Sequence, residues 1–123
     1  MYREKNIHSK LTKGLLDLII LQLLDNHPMH GYEIITTIRR EFGVYLGPST
    51  VYPILNTMEK KSTITSKWNM NCDRPRKIFN LTTNGKATLN YTAASFKTIC
   101  QTLTIDGTQP PNKIQHRMQL IQN

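Results

Sequence analysis

The sequence predicts a mostly α fold with a small β-hairpin (α+β), and three patterns in its 123 residues support this prediction. Between residues 11 and 61, one segment is apolar at nearly every position and two more carry apolar residues at helical spacing. Residues 64–81 alternate between apolar and polar side chains on either side of a turn-rich loop, which is typical of a hairpin. A long final helix with an a/d seam is indicated by apolar residues spaced 4, 3, 4, 3, namely Leu89, Ala93, Phe96, Cys100 and Leu103.

The chain is strongly basic, with 16 Lys and Arg residues against 8 Asp and Glu and a net charge of +8. This excess favours a polyanionic partner, either nucleic acid or an anionic membrane surface. The longest apolar run, Leu15 to Leu24, is interrupted by Asp17 and Gln22 and is shorter than the ~20 residues that cross a bilayer. The charged N-terminal residues do not have the pattern of a signal peptide. We therefore expect a cytoplasmic protein with no membrane partner.

The first apolar segment runs from Leu11 to Leu24, and we expect the preceding residues 1–9 to be loosely ordered or to form a short helical turn. A helix that is apolar around its circumference is buried on more than one side. The segment therefore contacts both its own core and a second subunit, or it is the central helix of a monomer. For the dimer, the candidate interface residues in this segment are Leu15, Leu18 and Ile19.

A second helix is predicted from Gly31 to Phe42, after a break at His27-Pro28. Its apolar residues form one stripe, and Gly43 is predicted to end it in a left-handed conformation.

The third predicted helix spans residues 49–61, with Ser49 as a candidate N-cap and Pro53 near enough to the start to be tolerated. One face is apolar and contains Val51, Ile54, Leu55 and Met58. The opposite face is small and polar, which suits a helix in the DNA major groove. This reading face comprises Ser49, Pro53, Asn56 and Lys60, with Tyr52 and Thr57 at its edges.

Each residue of this helix has a DNA-binding interpretation beside a structural one. Asn56 can make a bidentate contact to adenine, and no structural role on an exposed face competes with that interpretation. Ser49 and Thr50 can donate to bases or phosphates, although Ser49 can also serve only as a cap. Lys60 and Lys61 can reach the backbone or remain solvated. Tyr52 can contact DNA or be half-buried, and Tyr32 of the second helix is assigned to the same DNA-binding set.

The hairpin combines strands at Ile64–Met70 and Arg76–Leu81 with a loop at residues 71–75. Its positive charges are suited to phosphate contacts, which supply affinity without sequence information, and they are Lys67, Arg74, Arg76 and Lys77. Lys77 shares a face with Phe79 and Leu81, so it can instead extend from the core side of the hairpin. Trp68 is the sole tryptophan and is expected to pack the hairpin onto the helices, with the stacking of a flat ligand as the alternative.

The last helix is predicted from residue 83 to residue 104, with Thr82 as its cap. We expect residues 113–123 to form one more short amphipathic helix or to fray. These patterns divide the chain into a DNA-binding region at 1–81, a dimerisation helix at 82–105 and a tail at 106–123, within one compact domain.

Other chemistries lack support in the sequence. Cys72 and Cys100 form no C-x-x-C unit, and the four histidines show no ligand spacing, so neither a disulfide framework nor a metal site is predicted. No catalytic constellation and no phosphate-cradling glycine loop are present, so we predict no catalytic residues, no cofactor and no enzymatic activity.

These motifs together resemble the PadR family of winged helix-turn-helix transcriptional regulators over about residues 11–103. The resemblance rests on several pieces that occur in the family's order: Leu11-Thr12-Lys13-Gly14, His30-Gly31-Tyr32-Glu33-Ile34, Val51-Tyr52-Pro53-Ile54-Leu55, Met58-Glu59, Trp68, and Arg76-Lys77-Ile78-Phe79 before Leu81-Thr82 and Gly85. The single long helix after the hairpin is similar to that of the short subfamily. The chain departs from the family at Ser62-Thr63, where a glycine is usual, which predicts either a strained left-handed serine or a different helix end.

The resemblance implies a homodimer in which the C-terminal helix packs against the partner's first helix. It also implies that the third helix enters the major groove, that the hairpin acts as a wing on flanking backbone, and that transcription is repressed from a near-palindromic operator. Some family members release DNA when a small aromatic or hydrophobic effector binds near the dimer interface.

The sequence therefore predicts a dimeric, sequence-specific DNA-binding regulator that acts as a repressor. The alternative is a winged-helix module that binds protein or binds nucleic acid without sequence specificity. The basic hairpin favours the first reading, because a protein-binding module does not need a cationic wing.

Overall fold

The computed structural model describes residues 2–71 and 73–104, so the predictions for Cys72 and for the tail at 106–123 lie outside the described residues. The described elements, in chain order, are α1 (Tyr2–Gly14), α2 (Leu16–Asn26), β1 (Met29–His30), α3 (Gly31–Phe42), α4 (Pro48–Lys60), β2 (Ile64–Asn69), β3 (Arg76–Leu81) and α5 (Thr83–Thr102). The predicted fold class, mostly helical with a small hairpin, is confirmed.

The N-terminal segment differs from the prediction in extent and in division. Helix α1 starts at Tyr2, so the expectation of loose order over residues 1–9 is wrong. His8 anchors this helix, because its Nε2 lies 2.7 Å from the Phe42 carbonyl oxygen at the end of α3, where helical carbonyls lack partners. The predicted continuous helix from residue 11 to residue 24 is also wrong, since it divides at Leu15, directly after Gly14. Glycine favours such a break because it loses the most backbone entropy in a helix.

Helix α3 has the predicted bounds, and both of its ends follow from local sequence. Gly43 ends it with φ at 69°, the left-handed conformation that glycine adopts without steric cost. His30 caps its start, because the imidazole Nδ1 accepts from the amide of Glu33 at 3.1 Å.

Helix α4 starts one residue earlier than predicted, with Gly47 as N-cap and Pro48 in the first turn. The predicted cap at Ser49 is therefore wrong. Proline is favoured at the first helical position, because its fixed φ suits the helix and its missing N–H would lack a partner there anyway. Ser49 lies inside the helix and is exposed.

The end of α4 adopts the strained option that the sequence left open. Lys61 is the C-cap and Ser62 is left-handed at φ 63°. The amide of Ser62 donates to the Glu59 carbonyl at 3.0 Å, and the amide of Thr63 donates to the Met58 carbonyl at 3.1 Å, which together form a Schellman motif. The carbonyl of Ser62 accepts from the Thr82 hydroxyl at 2.6 Å, so the start of α5 helps to hold the turn.

The sheet has three antiparallel strands in the order β1-β3-β2. Strands β2 and β3 and the loop between them form the wing, as predicted. Strand β1 was not predicted, because it has only two residues and is defined by its pairing with β3. Met29 pairs with Phe79, and His30 pairs with Ile78. Strand β1 thereby joins the start of α3 directly to the wing.

The core lies among α2, α3, α4 and the base of the sheet. Its fully buried side chains include Leu16, Ile20, Ile34, Leu55 and Phe79. The described residues up to Leu89 form one compact unit, and those from Asn90 to Thr104 belong to a second. In the first unit, Thr82 caps α5 as predicted by accepting from the Gly85 amide at 2.9 Å. A Cβ on Gly85 would overlap the backbone of Thr63, so this close approach requires glycine.

Candidate nucleic-acid interface

Helix α4 has one face in the core and the opposite face in solvent. Val51, Leu55 and Met58 are buried, and Ile54 is partly buried. The four residues of the reading face, Ser49, Pro53, Asn56 and Lys60, are all exposed. Thr50 is partly exposed and Lys61 is exposed. The helix is thus anchored through its apolar side and leaves the predicted contact residues accessible.

Tyr52 connects the starts of α3 and α4. Its ring lies against Gly31, where an added Cβ would overlap the phenol. A glycine at this position lets the two helices approach closely, and the tyrosine remains 38% exposed beside the reading face. This position is compatible with both interpretations of Tyr52: the ring can pack half-buried between the helices, and it can also contact DNA.

The cations of the wing occupy two environments. Lys67, Arg74 and Arg76 are exposed. Lys77 is only partly exposed, and its Nζ lies 3.4 Å from Glu59 Oε1 of α4 and 5.6 Å from the centroid of the Phe79 ring. Lys77 therefore extends from the core side of the hairpin, and its phosphate contact stays a prediction.

Side chains from the two faces of strand β3 contact the residue before α3 and the last turn of α4. Neighbouring residues of a strand project to opposite sides. Arg76 projects to one side, where its Nη1 lies 3.1 Å from Nε2 of His30. Lys77 projects to the other side, where it pairs with Glu59. The wing therefore contacts β1, directly before α3, through Arg76, and the last turn of α4 through Lys77.

An open cleft of about 430 Å³ lies between the wing and the starts of α3 and α4. Among the described residues, no carboxylate lines it, while three aromatic rings and three cationic side chains do. A basic cleft with aromatic walls complements a nucleic-acid strand, whose phosphates pair with cations and whose sugars and bases contact rings. Its lining consists of His30, Gly31, Tyr32, Tyr52, Trp68, Arg74, Pro75, Arg76 and Lys77.

Trp68 corrects one prediction. The side chain is 63% exposed, so it does not pack the hairpin onto the helices. Its strand partner is Lys77, while the buried residues of the same face, Ile64 and Phe79, lie nearer the base of the hairpin. The face assignment from alternation was right, but the indole lines the open cleft and does not enter the buried core.

Two functional candidates were missed from the sequence, His30 and Glu59. Both belong to the motifs that carried the family resemblance, yet neither had a role assigned, because their partners Arg76 and Lys77 are distant in sequence. In the sequence, only their place in the family motifs indicated a role for these two residues. Their contacts with Arg76 and Lys77 could be identified only from the tertiary structure.

The predicted dimer residues also divide into two groups. Ile19 and Leu89 are buried in the core of the first unit, and Leu15 and Leu18 are partly buried against it. On α5 beyond residue 90, Ala93, Phe96 and Leu103 are exposed and Cys100 is partly exposed. An exposed Ile99 adds to the apolar surface there. The use of this surface in a dimer stays a prediction.

Among residues 2–71 and 73–104, no three His, Cys, Asp or Glu side chains are placed to hold a metal ion. None of the helices in that part of the chain is long and apolar enough to cross a membrane.

Two helices joined by a short turn, an exposed polar face on the second and a basic hairpin after it define a winged helix-turn-helix DNA-binding protein. The model of the PadR-like family of transcriptional regulators matches residues 20–91. The chain therefore belongs to the PadR-like family of DNA-binding transcriptional regulators, and the predicted resemblance is confirmed. This family consists of transcription regulators, in agreement with the prediction that the chain is not an enzyme.

Individual relatives support this assignment. An uncharacterised protein of Lysinibacillus sphaericus is 32% identical over 87 residues, which are 68% of this chain and 80% of the relative. A PadR family transcription regulator from hypervirulent Clostridium difficile has 29% identity and a TM-score of 0.67, over 73% of this chain and 95% of the other. A PadR-like transcription factor from Bacteroides fragilis has 28% identity and a TM-score of 0.66, over 80% and 96% of the two chains. A transcriptional regulator from Clostridium thermocellum, at 23% identity and a TM-score of 0.71 over 78% and 96%, shares the fold.

Proposed function

We propose that this PadR-like regulator is a homodimeric repressor that binds a near-palindromic operator, with α4 in the major groove and the wing on flanking backbone. The observation that carries the proposal is the combination of an exposed reading face on α4 with the basic cleft beside it. A protein-binding module would not need a cleft whose described lining has three cationic side chains and no carboxylate. A DNA operator also implies that the chain acts in the cytoplasm.

The proposed contacts are of two kinds, contacts to bases from α4 and contacts to the DNA backbone from basic and aromatic side chains. Asn56 reads bases, with Ser49, Thr50 and Pro53 close to the groove floor. Lys60, Lys61, Lys67, Arg74 and Arg76 contact phosphates, and Tyr32 and Tyr52 contact the strand that passes through the cleft. The positive net charge of +8 supports steering toward DNA at low salt.

We further propose that the apolar surface of α5 mediates the dimer. Phe96, Ile99 and Leu103 recur at helical spacing and are exposed in the single chain. Large exposed apolar side chains on one helix are typical of an interaction surface. A two-fold symmetric protein matches a symmetric operator, which supports the near-palindromic site. A small aromatic or hydrophobic effector near this interface, and membership of the short subfamily, are proposed from the family resemblance alone.

The decisive experiment is selection of bound DNA from a random pool by the full chain. We expect enrichment of two inverted half-sites whose centres are separated by about one helical turn, ~10 base pairs. Enrichment of a single half-site would contradict the proposed dimer but would still support recognition of bases by α4. Binding without any enriched sequence would contradict the proposal and favour a non-specific nucleic-acid-binding module.

A further inference from the structure

Glu59 connects the recognition helix to both strands of the wing. It lies in the last turn of α4. One carboxylate oxygen, Oε2, accepts a hydrogen bond from the hydroxyl of Ser66 on β2, and the other, Oε1, lies 3.4 Å from Nζ of Lys77 on β3. A single side chain thus bridges three elements.

The strand register makes this bridge specific. Ser66 pairs with Phe79, and Trp68 pairs with Lys77, so the partners of Glu59 lie on the same face of the hairpin. That face is turned toward α4 and carries the buried Phe79 at its base. The Glu59 and Lys77 side chains are 31% and 35% exposed, so solvent screens their attraction less than that of a fully exposed pair.

We propose that Glu59 is a positioning residue that sets the wing against the recognition helix and withholds Lys77 from DNA phosphates. This inference rests on the proposed function, since it describes how the two DNA-contacting parts, α4 and the wing, are held at a fixed angle to each other. A fixed angle lets the wing reach its backbone contacts only when α4 is seated in the groove. A released wing would contact phosphates of any sequence.

The test compares Glu59→Gln with wild type on operator and random DNA over a range of salt concentrations. The amide that replaces the carboxylate keeps the size of the side chain and can still accept from Ser66, but it no longer holds Lys77. We expect the slope of log affinity against log salt on random DNA to become steeper by about 0.9, the value for one additional phosphate contact. The operator-to-random affinity ratio should fall about threefold to tenfold, in the range of coupled neighbours.

Two further variants separate the bridge from a general change in charge. Glu41→Gln makes the same charge change at an exposed pair, where Glu41 lies 3.3 Å from Arg40, and should leave the slope at its wild-type value. In a Lys77→Gln background, Glu59→Gln should no longer change the slope. Equal slopes for Glu59→Gln and Glu41→Gln, or an undiminished effect without Lys77, would overturn the proposal.

A measurement without DNA tests the positioning itself. Trp68 is the sole tryptophan of the chain and the strand partner of Lys77, so its fluorescence anisotropy reports the motion of the wing. Glu59→Gln should lower this anisotropy. Ser66→Ala should lower it less and leave the salt slope unchanged, because Lys77 stays paired. Ser66→Ala also preserves the test if Glu59→Gln does not fold.

The outcomes distinguish this inference from the proposed function. If Trp68 responds to Glu59→Gln but no DNA sequence is enriched, the wing is positioned as proposed while operator binding fails. If an operator is enriched but Trp68 anisotropy and the salt slope are both unchanged in Glu59→Gln, operator binding stands and the role of Glu59 is overturned.

Discussion

The guanidinium Nη1 of Arg76 lies 3.1 Å from the imidazole Nε2 of His30, although 46 positions separate the two residues. The other ring nitrogen of His30 accepts from the Glu33 amide at the start of α3. A neutral imidazole has one acceptor nitrogen, so it can accept from the Glu33 amide or from Arg76, but not from both at once. If Arg76 contacts a phosphate, as proposed, it no longer competes with the Glu33 amide for the acceptor nitrogen of His30.

His30 is therefore predicted to contribute to stability as a helix cap and to the wing through Arg76. His30→Ala should lower the free energy of unfolding by about 1 kcal/mol, the usual cost of losing an N-cap. His30→Asn places an amide oxygen near the position of Nδ1 and should retain most of that stability, because asparagine is a favoured cap. Urea unfolding of the two variants checks this, and equal losses would contradict the capping role.

Asn56 is predicted to read a base from the exposed face of α4. Asn56→Ala should weaken operator binding relative to random DNA by ~1–3 kcal/mol, as expected for the loss of one bidentate base contact. Fluorescence titration on both DNA types measures the ratio. The side chain is exposed, so the free energy of unfolding should stay within about 0.5 kcal/mol of wild type. An equal loss on both DNA types would rule out base reading by this residue.

Arg74 is predicted to contact phosphate from the loop of the wing. Arg74→Ala should weaken binding to operator and random DNA alike and make the salt slope shallower by about 0.9. Lys97→Ala removes the same charge from α5 instead of from the wing and serves as the control. A salt slope that is the same in Arg74→Ala and wild type would contradict the phosphate contact.

Ser62 is predicted to be a strained position that glycine would relieve. Its φ of 63° lies in the left-handed region, where a Cβ is unfavourable. Ser62→Gly should raise the free energy of unfolding by about 1 kcal/mol, which a higher urea midpoint would reveal. The substitution keeps the backbone carbonyl that accepts from Thr82. A lower midpoint would mean that the added freedom of the unfolded chain outweighs the relief of strain.

Phe96 is predicted to lie in the dimer seam of α5. Phe96→Asp should convert the dimer to a monomer in sedimentation velocity, because it places a charge in an apolar interface. Tyr91→Asp is a matched control, since Tyr91 is an exposed aromatic residue on the same helix but outside the 4, 3, 4, 3 spacing. A Phe96→Asp dimer, or equal dissociation of both variants, would show that the seam is wrongly placed.

Elements with a complete local signal were predicted well. The bounds of α3 follow from an apolar stripe that ends at Gly43, and the strands of the wing follow from alternation on both sides of a polar loop. Thr82 was predicted as a cap because threonine before a helical segment can accept from the first turn. The core and reading faces of α4 follow from helical periodicity, which needs no knowledge of neighbouring elements.

Elements that depend on distant partners were predicted poorly. Strand β1 consists of two residues and exists only because β3 pairs with it. Helix α1 is polar over most of its length and is anchored by a contact from His8 to the end of α3. Trp68 has the sequence signature of a packing residue, yet its indole lines the open cleft and stays exposed.

The sequence by itself determined the winged helix-turn-helix order, the family and the side of α4 that faces outward, because periodicity and capping act over a few neighbouring residues. Tertiary structure alone decided how the wing is attached. The links from Arg76 to His30 and from Lys77 to Glu59 join residues far apart in the chain, and their existence depends on the strand register and on where α3 begins and α4 ends. Two adjacent basic residues that look equivalent in the sequence thereby differ, since Arg76 is exposed beside the cleft and Lys77 is held by a carboxylate.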